Sequence, residues 1–296
     1  MKRFTIITLV LVVLTSCNKT PTVKSGFAEI NGTSLYYEVA GKGEPIVFIH
    51  GNFGDRRHWD FQFEPLSNNY EVVRYDLRGF GKSALPKSGE PYNDWNDLKA
   101  LLEFLKINKA HICGLSGGSS AAVDFALKYP QMCLSLIPIG PWAGGYGSGD
   151  FKSPNADSLF IGLARIDDIV KSQGIKSATD YIWKGNNCLA RTVNNQRTLD
   201  SLLQMGYDYT FWFHLNSSPE ENLEPSAMSR LNEIKLPTLI ITAENDLESC
   251  KEIADIMEKE ITGSRKVVMK GAGHIMNMDK PEEFNRYITE FIETLK

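Results

Sequence analysis

Gly114-Leu115-Ser116-Gly117-Gly118 closes an apolar run, Ala110–Leu115, and leads into helical spacing over residues 119–129. The five residues satisfy G-x-S-x-G in the setting that pattern needs, a buried strand before the serine and a helix after it. The composition has a geometric cause. A nucleophile on a strand-to-helix turn sits in strained backbone, and its neighbours must be small for the chain to double back. Such a turn lifts the hydroxyl above the sheet edge, at a helix N-terminus where the dipole and free N–H groups favour developing negative charge.

Strand signals and helical spacing alternate on both sides of this turn. Residues 34–39 alternate apolar and polar side chains. Residues 45–50 (Pro-Ile-Val-Phe-Ile-His), 71–75, 133–139, 237–242 and 266–269 are short apolar runs of the kind a covered parallel strand shows. Asp94–Leu105 places Leu98, Leu101, Leu102 and Leu105 on one helix face, and residues 281–295 form a last helix. The alternation predicts an α/β fold, a mostly parallel central sheet covered by helices on both faces. The rhythm breaks over residues 141–230, which open with the glycine-rich Gly144–Gly149 and hold Trp142, Trp183, Trp212 and further aromatics. This segment is expected to be a helical lid inserted into a hydrolase-like core of residues 26–140 and 231–296.

A serine hydroxyl needs a base to take its proton. Of the five histidines, His274 in Gly271-Ala272-Gly273-His274 sits on a glycine-rich loop after the last strand, free to reach over a pocket. His111 lies inside a strand and reads as a satisfied core residue, and His58 and His214 carry no informative spacing. The base needs an acid to hold its tautomer. Asp246 follows the strand at 237–242, where sheet enzymes place functional groups, with Glu244 as the rival two residues earlier. Ser116, Asp246 and His274 then follow the chain order expected for a serine elbow of this kind. Gly117 supplies one oxyanion N–H as the residue after the nucleophile. The second comes from His50-Gly51-Asn52-Phe53-Gly54, with Asn52 preferred, Phe53 second and His50 structural. Phe53, Leu115, Trp142 and Trp212 are the expected substrate-binding residues, since ligand sites are mostly apolar.

These stretches, together with Asp76-Leu77-Arg78-Gly79-Phe80-Gly81-Lys82-Ser83, resemble the α/β-hydrolase superfamily in its capped, esterase-like branch. The resemblance covers nearly all of residues 27–296. It implies a serine hydrolase that cleaves a small ester or related acyl or carbonyl substrate through an acyl-enzyme, and gives the Asp76–Ser83 turn a structural role. Carbon–carbon hydrolysis, peroxide-dependent acyl chemistry, peptidase action and a non-catalytic ligand receptor are the rivals on the same frame. Dehalogenases and epoxide hydrolases of the superfamily need an aspartate where this chain has Ser116. Proline iminopeptidase relatives have Gly-Gly-Pro-Gly after the loop histidine, where this chain reads Gly51-Asn52-Phe53-Gly54.

The chain has 296 residues, 42% of them hydrophobic and 23% charged, with a net charge of −4, which offers no basic surface for nucleic acid. Lys2 and Arg3 precede an apolar run over residues 4–14, too short to span a bilayer but suited to a secretory signal. Leu14-Thr15-Ser16-Cys17 resembles a bacterial lipoprotein box. It implies cleavage after residue 16, lipidation of Cys17, a flexible tether over 17–25 and a place at the cell envelope, anchored to a membrane by acyl chains. Cys113 and Cys133 lie in apolar runs and are expected to be buried free thiols. Gly81-Lys82-Ser83 ends like a P-loop, but Asp76 stands where its first glycine is required. No clustered ligand spacing exists, so neither a metal nor another cofactor is expected.

Overall fold

Where a strand is covered on both faces its side chains are apolar without alternation, and such strands form the centre of this molecule. The computed structural model describes residues 22–296 (of residues 157 and 158, the backbone alone). The expected signal and Cys17 lie outside the described residues. The strands are β1 (Lys24–Ile30), β2 (Thr33–Gly41), β3 (Pro45–Ile49), β4 (Glu71–Tyr75), β5 (Ala110–Leu115), β6 (Cys133–Ile139), β7 (Leu239–Asn245) and β8 (Arg265–Gly273). They form one sheet in the order β1-β2-β4-β3-β5-β6-β7-β8. The β1–β2 and β2–β4 pairs are antiparallel, and the rest of the sheet is parallel. Every residue of β5 is buried, as are four of the five in β3, which explains why β3 is an unbroken apolar run and β5 is apolar but for His111.

Helices α1 (Asp60–Leu66), α2 (Asp94–Leu105) and α3 (Gly117–Lys128) alternate with the first strands. Between β6 and β7 come α4 (Pro154–Gln173), α5 (Ile175–Lys184), α6 (Gln196–Asp208) and α7 (Trp212–Leu215), the helical insertion that the broken rhythm predicts. Helices α8 (Glu248–Glu260), α9 (Met276–Asp279) and α10 (Pro281–Glu293) complete the core. The sheet is thus mostly parallel with helices around it, the expected α/β architecture. Among the described residues no helix is long and apolar enough to cross a membrane.

One expectation needs correction. The tether expected over residues 17–25 ends sooner, because Lys24 and Ser25 already belong to β1 and pair with Val39 and Glu38. This strand lies at the sheet edge and buries only Ala28 fully, leaving Phe27 51% exposed, so little apolar patterning marks it. Helix α8 carries little pattern of its own in the sequence. Its buried face is made of Ser249, Cys250, Ile253, Ala254 and Met257, mostly small side chains that give a weak periodic signal.

The core also holds a titratable group without partners. The ring of His58 is fully buried and neither of its nitrogens has a hydrogen-bond partner. Burial first, then the neighbouring charge of His50, pulls it from the ordinary 6.5 down to about 3. The unfolded chain binds this proton below 6.5, while the folded chain does not until about 3. Stability is therefore full above 6.5 and falls as pH drops through that window. Chemical denaturation at about pH 7 and about pH 4 should differ by roughly 3 kcal/mol more for the native chain than for His58→Phe. Equal differences in the two proteins would refute the buried neutral ring.

Candidate active site

Ser116 sits between β5 and α3 at φ 53° and ψ −118°, a left-handed conformation that a residue with a Cβ adopts only under strain. Its N–H donates to the carbonyl of Ile139 at 2.8 Å, which ties the turn to the next strand. The flanking glycines are steric requirements. A Cβ on Gly114 would lie 2.2 Å from the carbonyl oxygen of Gly118, and one on Gly118 would lie 2.4 Å from that of His50. The turn is therefore open only to residues without side chains at these two positions.

His274 follows β8 and is 2% exposed. Its Nδ1 lies 2.6 Å from Oδ1 of Asp246, itself 5% exposed. The same carboxylate accepts from the Leu247 N–H at 2.8 Å and from the Thr242 hydroxyl at 2.9 Å. Three donors fix this acid, so it orients the ring and presents the opposite nitrogen away from itself. Glu244 goes elsewhere: it accepts from the Gly271 N–H at 2.8 Å. The structure thus brings Asp246, and not its rival, to His274. The histidine loop is also stitched to the inserted helices. Asp279 accepts from the Gly273 N–H and from the side chains of Asn194 and Asn195.

Ser116 and His274 face one cavity of about 150 Å³ together with Gly51, Asn52, Phe53 and Gly117. Asn52, Phe53 and Gly117 line the same cavity as the nucleophile. Phe53 adopts φ 60°, which turns the loop sharply at this point. His50 holds the loop from behind: its Nε2 accepts from the Leu77 N–H at 3.0 Å, so Nδ1 carries the proton and donates to the Gly51 carbonyl at 2.8 Å. The Asp76 turn is structural in the same sense, since the carboxylate accepts the N–H groups of Arg56 and Lys82 at 2.9 and 2.8 Å.

The remaining cavity wall is apolar and comes largely from the insertion, through Trp142, Leu159, Leu163, Trp183 and Leu189. Phe53 and Trp142 line it as expected. Leu115 and Trp212 do not, and both expectations are corrected. Leu115 is fully buried in β5 beneath the turn, and Trp212 packs edge-on against Phe213 outside the cavity. Leu247, Cys250 and Ile275 line it without having been foreseen. Their closeness in sequence to Asp246 and His274 is the signal that could have found them. A second chamber of about 330 Å³ shares Asn52, Phe53, Gly117, Trp142 and Leu163 with the first.

Among the described residues, Asp246, Cys250 and His274 hold potential metal-ligand atoms within 4.8 Å of one another. The chemistry disfavours that use. Burial and the charge of Asp246 push the Cys250 thiol well above its ordinary value, whereas a metal needs the thiolate. Burial likewise raises the thiols of Cys113 and Cys133, the latter to about 12.

Known proteins resemble this chain. The chain resembles a 2-hydroxy-6-oxononadienedioate/2-hydroxy-6-oxononatrienedioate hydrolase of Pseudomonas putida, at 28% identity over 88% of this chain and 91% of the relative. It resembles a 3-oxoadipate enol-lactonase of Acinetobacter baylyi at 26% identity, over 90% and 95% of the two chains. An esterase from Exiguobacterium antarcticum has the same fold, with a TM-score of 0.72 at 21% identity, covering 91% of this chain and all of the other. The family model for the alpha/beta hydrolase fold matches residues 44–281. Because that match spans most of its length, the chain belongs to the alpha/beta hydrolase fold family.

Proposed function

We propose that this protein is a serine hydrolase that cleaves a small ester, or a related acyl or carbonyl substrate, through an acyl-enzyme. One observation carries the reading: a strained serine at a strand-to-helix turn shares a cavity with a histidine whose far nitrogen is clamped at 2.6 Å by a buried aspartate. Ser116 attacks the substrate carbonyl carbon, and His274 takes the hydroxyl proton. The N–H groups of Gly117 and Asn52 hold the oxyanion. The tetrahedral intermediate expels its leaving group, which takes the proton back from His274. Water then attacks the acyl-enzyme, with His274 again as base, and Ser116 recovers its proton as the acid departs.

The test is covalent. A fluorophosphonate probe should add once per chain, with the added mass on the peptide containing Ser116; labelling elsewhere, or none, counts against the reading. The names of the two curated relatives favour a second reading, carbon–carbon or enol-lactone hydrolysis on the same three residues. Rates on simple acyl esters, vinylogous diketones and enol-lactones separate these.

We also propose, from the lipoprotein-like Leu14-Thr15-Ser16-Cys17, that the mature chain is anchored at the cell envelope by acyl chains on Cys17. Cells fed an alkyne-tagged fatty acid should label the native chain and not Cys17→Ser; equal labelling of both would exclude this anchor.

A further inference from the structure

The two chambers that meet at the oxyanion loop differ in chemistry. The smaller, holding Ser116 and His274, has a mainly hydrocarbon and indole wall. The larger is lined by the aromatic rings of Phe80, Tyr92, Tyr209 and Phe213 and by the carboxyl groups of Asp94 and Glu220. We infer that this larger chamber receives a positively charged ammonium group on one arm of the substrate. The inference rests on the proposed hydrolase reading and names its substrate class: esters with one small apolar arm and one cationic arm.

The charges present support this assignment. Arg78 reaches the chamber, but its guanidinium donates to both oxygens of Asp97 at 2.8 and 2.9 Å and lies over the Tyr92 ring. His214 is likewise engaged, with Nδ1 2.6 Å from Oδ1 of Asp167. Asp94 and Glu220 have no cationic side chain bonded to them among the described residues, so a cation entering the chamber would meet carboxyl groups that no side chain already neutralises. A third carboxyl joins them from behind. Asp124, one helical turn beyond the chamber residue Ser120, is 8% exposed and its Oδ1 has no hydrogen-bond partner. Lys128 and Arg230 act on it only at a distance, and Arg230 is itself paired with Glu233.

Burial and mutual repulsion make it costly for all of these carboxyls to ionise together. Burial, then the charges of Glu220, Asp97 and Asp124, hold the Asp94 carboxyl well above the usual carboxylate range. Burial and Glu220 push Asp124 up to about 7. A cation would relieve this repulsion, and aromatic faces attract an ammonium group through their quadrupoles. The backbone anchors the acidic wall in place: Tyr92 N–H donates to the Pro219 carbonyl, and Glu221 N–H donates to that of Tyr92 at 2.7 Å. Glu220 is thus held at the chamber mouth by main-chain bonds on either side of it.

Two matched measurements test the inference. The first compares kcat/KM for 2-(trimethylammonio)ethyl butanoate, its acyl-side counterpart 4-(trimethylammonio)butanoate ethyl ester, and neutral isosteres carrying a tert-butyl group. At least one cationic ester should exceed its isostere by about tenfold, the scale of a desolvated cation–π contact. That ratio should fall toward one in Asp94→Asn/Glu220→Gln. A ratio near one in the native chain, or one unchanged in the double variant, overturns the inference while leaving hydrolysis of neutral esters intact. The second measurement needs no turnover: tetramethylammonium titrated into full-length Ser116→Ala, read by tryptophan fluorescence. Saturable quenching that the Asp94→Asn/Glu220→Gln changes weaken at least tenfold supports the inference. Absence of saturable binding overturns it, whatever any ester assay shows.

Discussion

Ser116→Ala should abolish fluorophosphonate labelling and lower kcat on the best ester by about 10⁶-fold, the scale seen when a triad serine is removed. The physical reason is that no other hydroxyl occupies the turn between β5 and α3. Without the alcohol, neither His274 nor the oxyanion donors have a covalent step to assist. Residual turnover some thousandfold above water would still be expected from the N–H groups and substrate binding alone. Alanine keeps the Cβ, and so keeps the left-handed strain at φ 53°. The elbow glycines and the bond from residue 116 N–H to Ile139 are untouched, so the variant should melt within a few degrees of the parent. Full labelling of a folded alanine variant would remove Ser116 from the mechanism.

Asp246→Asn should cost about 10⁴-fold in kcat with little change in KM. The amide would keep the position but lose the charge that stabilises the imidazolium formed during attack. It would also present an N–H₂ toward the ring or force the other tautomer, leaving Nε2 protonated in the resting state and unable to act as the base. Glu244→Gln is the control, because Glu244 binds the Gly271 N–H at 2.8 Å and makes no bond to His274. Its rate should stay within about threefold of the parent, since hydrogen bonds at exposed positions are of modest worth. Reversed outcomes for the two variants would transfer the acid role to Glu244.

Much of this architecture is legible in the residues because burial leaves a chemical mark. Covered strands β3, β5 and β6 are apolar runs broken only by His111 and Ser135, and the elbow glycines are dictated by backbone approaches of 2.2 and 2.4 Å. Strand β1 leaves little such mark. Its main-chain hydrogen bonds to β2 are open to almost any side chain, and only Ala28 is fully buried. The binding residues separate in the same way. Phe53 and Trp142 are apolar, as a pocket requires, but so are Leu115 and Trp212, and composition does not say which way a side chain points.

By itself the order of residues determined the serine turn, the histidine loop, the acid-bearing strand end and the inserted segment, since each is a local pattern imposed by local sterics or burial. Only the tertiary structure decided between Asp246 and Glu244, excluded Leu115 and Trp212 from the cavity, and set an acidic, aromatic chamber beside the catalytic one. Those outcomes depend on atoms from segments far apart in the chain, such as Asp94 and Glu220. Their proximity is a property of packing, which no local pattern encodes.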